Sequence, residues 1–183
     1  MKRTTVLLPV LAAMFALGAC SKKPQPASAP PVAAAPAAND DAARREAEER
    51  ARREAEERAR REAAARAQSI LASAVFFDYD SFSIREDSRQ MLDAKLPILR
   101  ADPAISLVIA GHADERGSTE YNLALGMRRA NATRDYLTSY GIDARRLEVI
   151  SYGEEQPLDP GQNEAAWARN RRAEFQVGQQ GTR

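Results

Sequence analysis

Cysteine and histidine are almost absent from this sequence. Its 183 residues contain one cysteine, Cys20, and one histidine, His112. A single cysteine excludes a disulfide framework within the chain, and a single histidine excludes a metal site built from several imidazoles. Net charge is nearly absent too, because 27 Lys and Arg against 26 Asp and Glu leave a formal charge of +1. Charge therefore gives no reason to expect a nucleic acid or an acidic polymer as partner.

Catalytic groupings are also missing. No activated nucleophile or second histidine accompanies His112, so we interpret it as a strand-end histidine that is hydrogen-bonded in a loop. Glu154 and Glu155 are adjacent, and neighbours on a strand point to opposite faces, so they do not make a glycosidase pair that shares one cleft. We expect a protein that is not an enzyme and that uses no metal or cofactor.

The N-terminus has the features of an export signal, which we assign to residues 1–19. A basic start precedes an apolar stretch that is shorter than the roughly 20 residues of a membrane span. Its end, Leu17-Gly18-Ala19-Cys20, resembles a bacterial lipobox, in which the cysteine is lipidated after cleavage. The alternative is an ordinary cleavage site followed by a chance cysteine. Ser21, rather than Asp, follows the cysteine, as in lipoproteins that are passed on to the outer membrane.

Two segments of unusual composition come next. Residues 20–40 are rich in Pro, Ala and Ser and predict an extended, lipidated linker. Residues 44–67 repeat the octad RREAEERA twice in full and once as RREAAARA. These residues are strong helix formers, and seven glutamates each have an arginine four positions later, so we predict a charged helix over residues 41–72. The alanine stripe drifts around such a helix, which favours a solitary helix over a coiled coil.

The remaining pattern predicts one folded domain over residues 73–178, followed by a disordered tail at 179–183. Val75 to Tyr79 indicates a first strand. ISLVIAG, RLEVISYG and RAEFQVG indicate three more strands, and helical patterns fill the gaps between the four. The order β-α-β-α-β-α-β predicts an α+β fold, a two-layer α/β sandwich with the helices packed on one sheet.

Details of the two longer helices can also be predicted. The first has Met91, Leu92, Leu96 and Leu99 at helical spacing, with Pro97 expected to kink it. The second has Ser118 or Thr119 as candidate N-cap and Gly141 as candidate C-cap.

Four separated stretches carry a family resemblance. They are VFFDYDSFSI at 75–84, GHADERGSTEYNLALGMRRA at 111–130, SYGEEQP at 151–157 and NEAAWARNRRA at 163–173. In this order and spacing they resemble the OmpA-like peptidoglycan-binding domain over residues 73–178. Within that family they are most similar to the peptidoglycan-associated lipoproteins, for which a lipobox is expected. The resemblance implies the family's fold and its ligand, peptidoglycan, bound through meso-diaminopimelate.

The resemblance also implies a binding site. Diaminopimelate in a peptide stem presents an ammonium and a carboxylate at its free end. Asp114 and Arg129 match the family's acidic and basic ligand residues, so Asp114 is expected to accept from the ammonium and Arg129 to bind the carboxylate through two parallel bonds. Further positions that match the family's pocket are Asp80, Arg116, Asn122 and Leu125.

The function that follows from the resemblance is a tether. We expect a non-catalytic lipoprotein of the outer membrane, facing the periplasm, that binds peptidoglycan and has TolB and other Tol proteins as partners in cell division and envelope integrity. Two alternatives stay open: an adaptor that acts mainly through protein partners, and a hydrolase of the wall.

Overall fold

A computed structural model describes residues 38–179 of the chain. The predicted signal peptide, the lipidation site at Cys20, nearly all of the linker and the tail from residue 180 lie outside the described residues. Among the helices of residues 38–179, none combines the length and apolar character needed to cross a membrane.

The octad repeat forms helix α1, Ala38–Ala72, as the sequence predicts. The expected Glu-to-Arg pairs at four-residue spacing include Glu46–Arg50, with an N···O distance of 4.0 Å, and Glu49–Arg53 and Glu57–Arg61, both at 2.5 Å. All of these side chains are exposed, so each pair adds only a few tenths of a kcal/mol, about 0.2–0.5, to the helix.

The last turn of α1 is held by a buried lysine on the next helix. The ammonium of Lys95 donates to the carbonyl oxygens of Ile70, Leu71 and Ser73 at 2.5, 3.0 and 2.8 Å, and to the hydroxyl of Ser73 at 2.9 Å. Burial lowers the pKa of Lys95 to about 7, while the four oxygens favour the charged form. The final carbonyls of a helix lack partners within the helix, so Lys95 acts as a C-terminal cap supplied by the folded domain.

The domain is built on one four-stranded sheet. The strands are β1 (Val75–Phe76), β2 (Ile105–His112), β3 (Leu147–Gly153) and β4 (Arg172–Gln179), in the spatial order β1-β4-β2-β3. β4 is antiparallel to β1 and β2, whereas β2 and β3 are parallel. A parallel pair needs a long crossover, which a helix provides here. The predicted α+β fold and element order are confirmed, but the first strand ends at Phe76 instead of Tyr79.

Helix α2, Glu86–Ala101, runs through Pro97. Leu92, Leu96 and Leu99 are buried as predicted, but Met91 is exposed. The side chains buried beside the leucines are those of Lys95 and Ser88. Apolar spacing alone therefore placed the buried face slightly wrongly, because the domain uses one polar position to cap α1 and another to bond the backbone of β1.

Helix α3, Thr119–Ser139, has clear signals at both ends. The hydroxyl of Ser118 accepts from the backbone N–H of Tyr121 at 3.2 Å, so Ser118 is the N-cap. Gly141 follows the C-cap residue Tyr140 with φ +89°, and the N–H groups of Gly141 and Ile142 bond back to the carbonyls of Thr138 and Leu137. This is the Schellman arrangement, in which glycine takes the left-handed position without steric cost.

A glycine pair brings α3 directly onto the central strand. A Cβ built on Gly111 of β2 would lie 1.8 Å from the carbonyl oxygen of Gly126 of α3. No side chain separates the two backbones at this point, because neither residue has one. This approach fixes the first half of α3 against the end of β2, where the candidate site lies. The last helix, α4, Glu164–Asn170, is capped by Asn163 and leads into β4.

Candidate functional site

A cavity of about 140 Å³ opens where three segments meet. These segments are the turn after β1, the loop between β2 and α3, and the first turns of α3. All six residues predicted from the sequence lie in its wall: Asp80, Asp114, Arg116, Asn122, Leu125 and Arg129. Tyr79, Gly117 and Tyr121 complete the lining. The structure therefore brings the predicted residues together, although they span 50 positions of the chain.

Asp114 is the buried acid of this cavity. Its side chain lies just after β2, and the residue is 4% exposed. Arg116 binds the carboxylate with its backbone N–H at 3.2 Å, its Nε at 3.1 Å and its Nη2 at 2.7 Å, and Arg171 adds Nη1 at 3.2 Å. Burial by itself raises the pKa of Asp114, but these hydrogen bonds outweigh it and hold the pKa below its usual value. Asp114 is therefore a charged carboxylate at neutral pH.

Arg116 is stacked between two aromatic rings. Its guanidinium carbon lies 4.0 Å from the centre of the Tyr79 ring and 4.2 Å from the centre of the Trp167 ring. Nη1 also lies 3.6 Å from a carboxylate oxygen of Glu164. The hydrogen bond with Asp114 raises the pKa of Arg116 further. The side chain stays 30% exposed, so it forms part of the rim of the cavity.

Arg129 is a cation in the wall with no exposed surface. Its Nε, Nη1 and Nη2 donate to the backbone carbonyls of Ser81, His112 and Asp78 at 2.8, 2.7 and 3.1 Å. Burial lowers the pKa of Arg129 to about 10, so it remains charged at neutral pH. Three of the five N–H groups of its guanidinium are thus engaged with the backbone, and they join the turn after β1 to the end of β2.

Asn122 is oriented by Glu154, a contact that the sequence analysis did not predict. Its Nδ2 donates to Glu154 at 2.5 Å, and the hydroxyl of Thr119 donates to the other oxygen of Glu154 at 2.9 Å. Glu154 and Glu155 follow the end of β3 in a turn, so the prediction that they lie on a strand is wrong. Glu154 instead joins that turn to the start of α3.

Asp80 has an unusual backbone conformation. Its φ is +51°, in the left-handed region that non-glycine residues seldom adopt, although aspartate tolerates it better than most. The hydroxyl of Tyr121 donates to Oδ1 of Asp80. Such outliers concentrate at functional sites, and this one turns a second carboxylate into the cavity.

The prediction that the His112 side chain is hydrogen-bonded is wrong. The residue ends β2 and is buried, and neither ring nitrogen has a hydrogen-bond partner among the described residues. Its Nε2 lies 3.8 Å from a carboxylate oxygen of Glu174, and its ring is 5.5 Å from that of Tyr152. Burial first, and then the charge of Arg172, lower the pKa of His112 to about 4. Across residues 38–179, no three His, Cys, Asp or Glu side chains are grouped so as to hold a metal ion.

Several residues of this site are absent from the predicted set. Arg171 is buried and reaches both Asp114 and Glu164, and Trp167 forms half of the stack on Arg116. Tyr79 and Tyr121 are neighbours in sequence of predicted site residues, and that adjacency was the available signal. Trp167 and Arg171 lie in the fourth motif, residues 163–173, and that membership was their available signal, although Arg171 meets Asp114 across 57 positions of the chain.

Comparison with known proteins identifies the family. The family model described as the OmpA family matches residues 76–171, which is more than half of the chain, so this chain belongs to the OmpA family. A peptidoglycan-associated lipoprotein of Rhizobium meliloti (strain 1021) is 49% identical over 108 residues, covering 59% of this chain and 61% of the relative. One of Agrobacterium fabrum is 50% identical over 99 residues, covering 54% and 56%. The chain thus spans about 60% of the length of these curated relatives.

Solved structures give the same fold. The crystal structure of the peptidoglycan-associated lipoprotein from Burkholderia pseudomallei is similar with a TM-score of 0.56 and 40% identity, covering 57% of this chain and 89% of that one. The C-terminal domain of Helicobacter pylori MotB has a TM-score of 0.54 at 20% identity, covering 58% and 84%. At that identity the second similarity concerns the fold alone.

Proposed function

We propose that this chain is a non-catalytic lipoprotein that binds peptidoglycan in the cavity around Asp114 and tethers the outer membrane to the cell wall. The observation that carries the proposal is the composition of the cavity. Two carboxylates, Asp80 and Asp114, share a small space with two guanidinium groups, Arg116 and Arg129. Similarity to relatives named peptidoglycan-associated lipoproteins supports the same function.

The ligand group that suits such a cavity is a zwitterion. The charges of these four side chains sum to zero. A ligand with one ammonium and one carboxylate therefore leaves the cavity neutral. Meso-diaminopimelate in a stem peptide carries these two groups on one carbon at its free end. We propose that the ammonium is bound at Asp114 and the carboxylate by the cationic side of the cavity, to which Arg129 contributes a fixed charge. Asp80, Asn122 and Leu125 line the remaining wall.

The expected strength of binding is modest per contact. A hydrogen bond to a charged group contributes about 1.5 to 3 kcal/mol, so one bond at each end of the zwitterion separates specific binding from none. The wall is a polymer with many stems, and repeated sites raise the time that a membrane-anchored domain spends bound.

Anchoring at Cys20 is the second part of the proposal. Several acyl chains on this residue would hold the chain at the outer membrane, facing the periplasm, because each buried methylene adds about 0.8 kcal/mol. Cys20→Ala should then move the chain from the membrane fraction to the soluble fraction without changing the folded domain. Incorporation of labelled palmitate that persists in Cys20→Ala would contradict the lipidation.

Sedimentation with purified peptidoglycan tests the binding. The Cys20→Ala chain should pellet with peptidoglycan that contains diaminopimelate, and free meso-diaminopimelate should release it. Asp114→Asn should stay in the supernatant, whereas Asp143→Asn, which removes the same charge from an exposed aspartate outside the cavity, should still pellet. Circular dichroism of each variant checks that the domain is folded.

Partners in the Tol system belong to the same proposal. We propose that TolB and other Tol proteins bind this chain during cell division. A chain that binds TolB but fails to pellet with peptidoglycan would be an adaptor acting through proteins. Release of soluble muropeptides from purified peptidoglycan would contradict the non-catalytic role.

A further inference from the structure

The carboxylate of Asp114 has no free acceptor position. An ionised carboxylate offers about four lone-pair sites. In this structure Oδ1 accepts from the backbone N–H and Nε of Arg116, and Oδ2 accepts from Nη2 of Arg116 and Nη1 of Arg171. An ammonium that enters the cavity therefore reaches Asp114 only if one of these donors leaves.

The donor that can leave is Arg116. Arg171 is buried, and it also donates to the carbonyl of Phe77 at 3.2 Å and to Glu164 at 2.7 Å. The side chain of Arg116 is 30% exposed and lies between the faces of Tyr79 and Trp167, so it can slide outward without breaking the core. Its remaining carboxylate neighbour is Glu164, at 3.6 Å.

We propose that Arg116 is a specificity-determining residue that works by exchange of ion pairs. The ligand's ammonium replaces the guanidinium of Arg116 on Asp114, and the displaced guanidinium binds the ligand's carboxylate at the rim. This inference rests on the proposed function and adds the residue that moves. Each charge keeps a partner throughout, so the exchange costs little for a zwitterion.

The exchange explains selectivity between two kinds of wall. A stem with lysine in place of diaminopimelate brings the ammonium but no carboxylate beside it. It would leave Arg116 with only the long contact to Glu164. Arg129 cannot take over this role by moving, because it is fully buried and bonded to three backbone carbonyls.

Two stem peptides and two variants test the exchange. The probes are L-Ala-γ-D-Glu-meso-diaminopimelate and the same peptide ending in L-lysine, which differ by one carboxylate. Calorimetric titration gives the ratio of their affinities. Arg116→Ala should reduce that ratio about tenfold to 150-fold, the equivalent of one charge-assisted hydrogen bond. Arg128→Ala is the matched control, because it removes the same positive charge from a side chain that lies beside Phe82 and Tyr121 instead of on Asp114.

The fluorescence of Trp167 can report the proposed movement of Arg116. It is the single tryptophan of the chain and stacks on Arg116. Binding of the diaminopimelate peptide should change its fluorescence in the otherwise unaltered protein and leave it unchanged in Arg116→Ala. A ratio that Arg116→Ala leaves intact, or binding without a fluorescence change, would overturn the exchange alone. Failure of the unaltered protein to bind either peptide would overturn the proposed function and the exchange with it.

Discussion

Substitution of Gly111 by alanine should destabilise the folded domain, although the same substitution in most strands is stabilising. In an open strand, alanine is better than glycine by roughly 0.5 to 1 kcal/mol, because glycine loses more backbone freedom on folding. Here the added Cβ would lie 1.8 Å from the carbonyl oxygen and 2.6 Å from the carbonyl carbon of Gly126. Both atoms are backbone, so no rotation of a side chain relieves the overlap.

The size of the effect follows from these distances. To bring the Cβ–oxygen distance to 3.0 Å, strand β2 and helix α3 must separate by about 1.2 Å. Overpacking of this kind costs about 1 to 3 kcal/mol, and a backbone obstacle places Gly111→Ala at the upper end, about 3 kcal/mol. For a domain of about 100 residues this corresponds to a fall in Tm of roughly 12 to 24 °C.

The separation should also weaken ligand binding. The 2.7 Å bond from Arg129 on α3 to the carbonyl of His112 on β2 spans the same gap. Urea unfolding and titration with the diaminopimelate peptide measure the two effects. Gly178→Ala is the control, since its Cβ would meet the hydroxyl of Ser106 at 2.9 Å, and that side chain can rotate. If Gly111→Ala were as stable as the unaltered protein, the close approach of α3 to β2 would be refuted.

Three further predictions concern groups outside the cavity. The pKa of His112 should be near 4 in the folded protein and near 6.5 in the unfolded chain. About 3 kcal/mol of folding stability that is present above pH 6.5 should therefore be lost as the pH falls to 4. NMR of the single imidazole checks this prediction, and a folded-state pKa near 6.5 would contradict it. Lys95→Met should speed amide exchange at residues 68–73 and leave β2 protected, since it removes the cap on α1; unchanged exchange there would exclude the capping role. A peptide of residues 41–72 should be monomeric and helical by circular dichroism, with helicity that falls as salt screens its ion pairs; helicity that rises with concentration would indicate a coiled coil.

The sequence predicted best where local rules decide. The caps of α3 follow from Ser118 and Gly141, and the six predicted residues of the cavity wall follow from the family resemblance, which two of the four motifs carry for them. The element types and their order along the chain follow from apolar runs separated by helical patterns, whereas the strand order in the sheet, β1-β4-β2-β3, was not predicted. These features depend on neighbours within a few positions, or on a pattern that a whole family shares.

The remaining features depend on contacts between distant segments. Lys95 looks like a surface residue until α1 ends against it, 22 to 25 positions away. Asp114 looks like a dispensable loop carboxylate, yet it is bonded to the buried Arg171. Arg129 appears as a free cation in the sequence, whereas the structure binds it to three carbonyls. Asp114 and Arg129 therefore contribute to the fold as well as to the proposed site, and we expect their alanine variants to lose stability too.

The most direct test of the proposed function is the affinity of the unaltered folded domain for the two stem peptides. Calorimetric titration of the Cys20→Ala chain with each peptide at neutral pH isolates one ligand carboxylate, since the peptides are otherwise alike. A cavity built for a zwitterion should bind the diaminopimelate peptide at least about tenfold more tightly than the lysine peptide, which is the value of one charge-assisted hydrogen bond. Equal affinities for the two peptides would contradict a zwitterion site between Asp114 and the arginines.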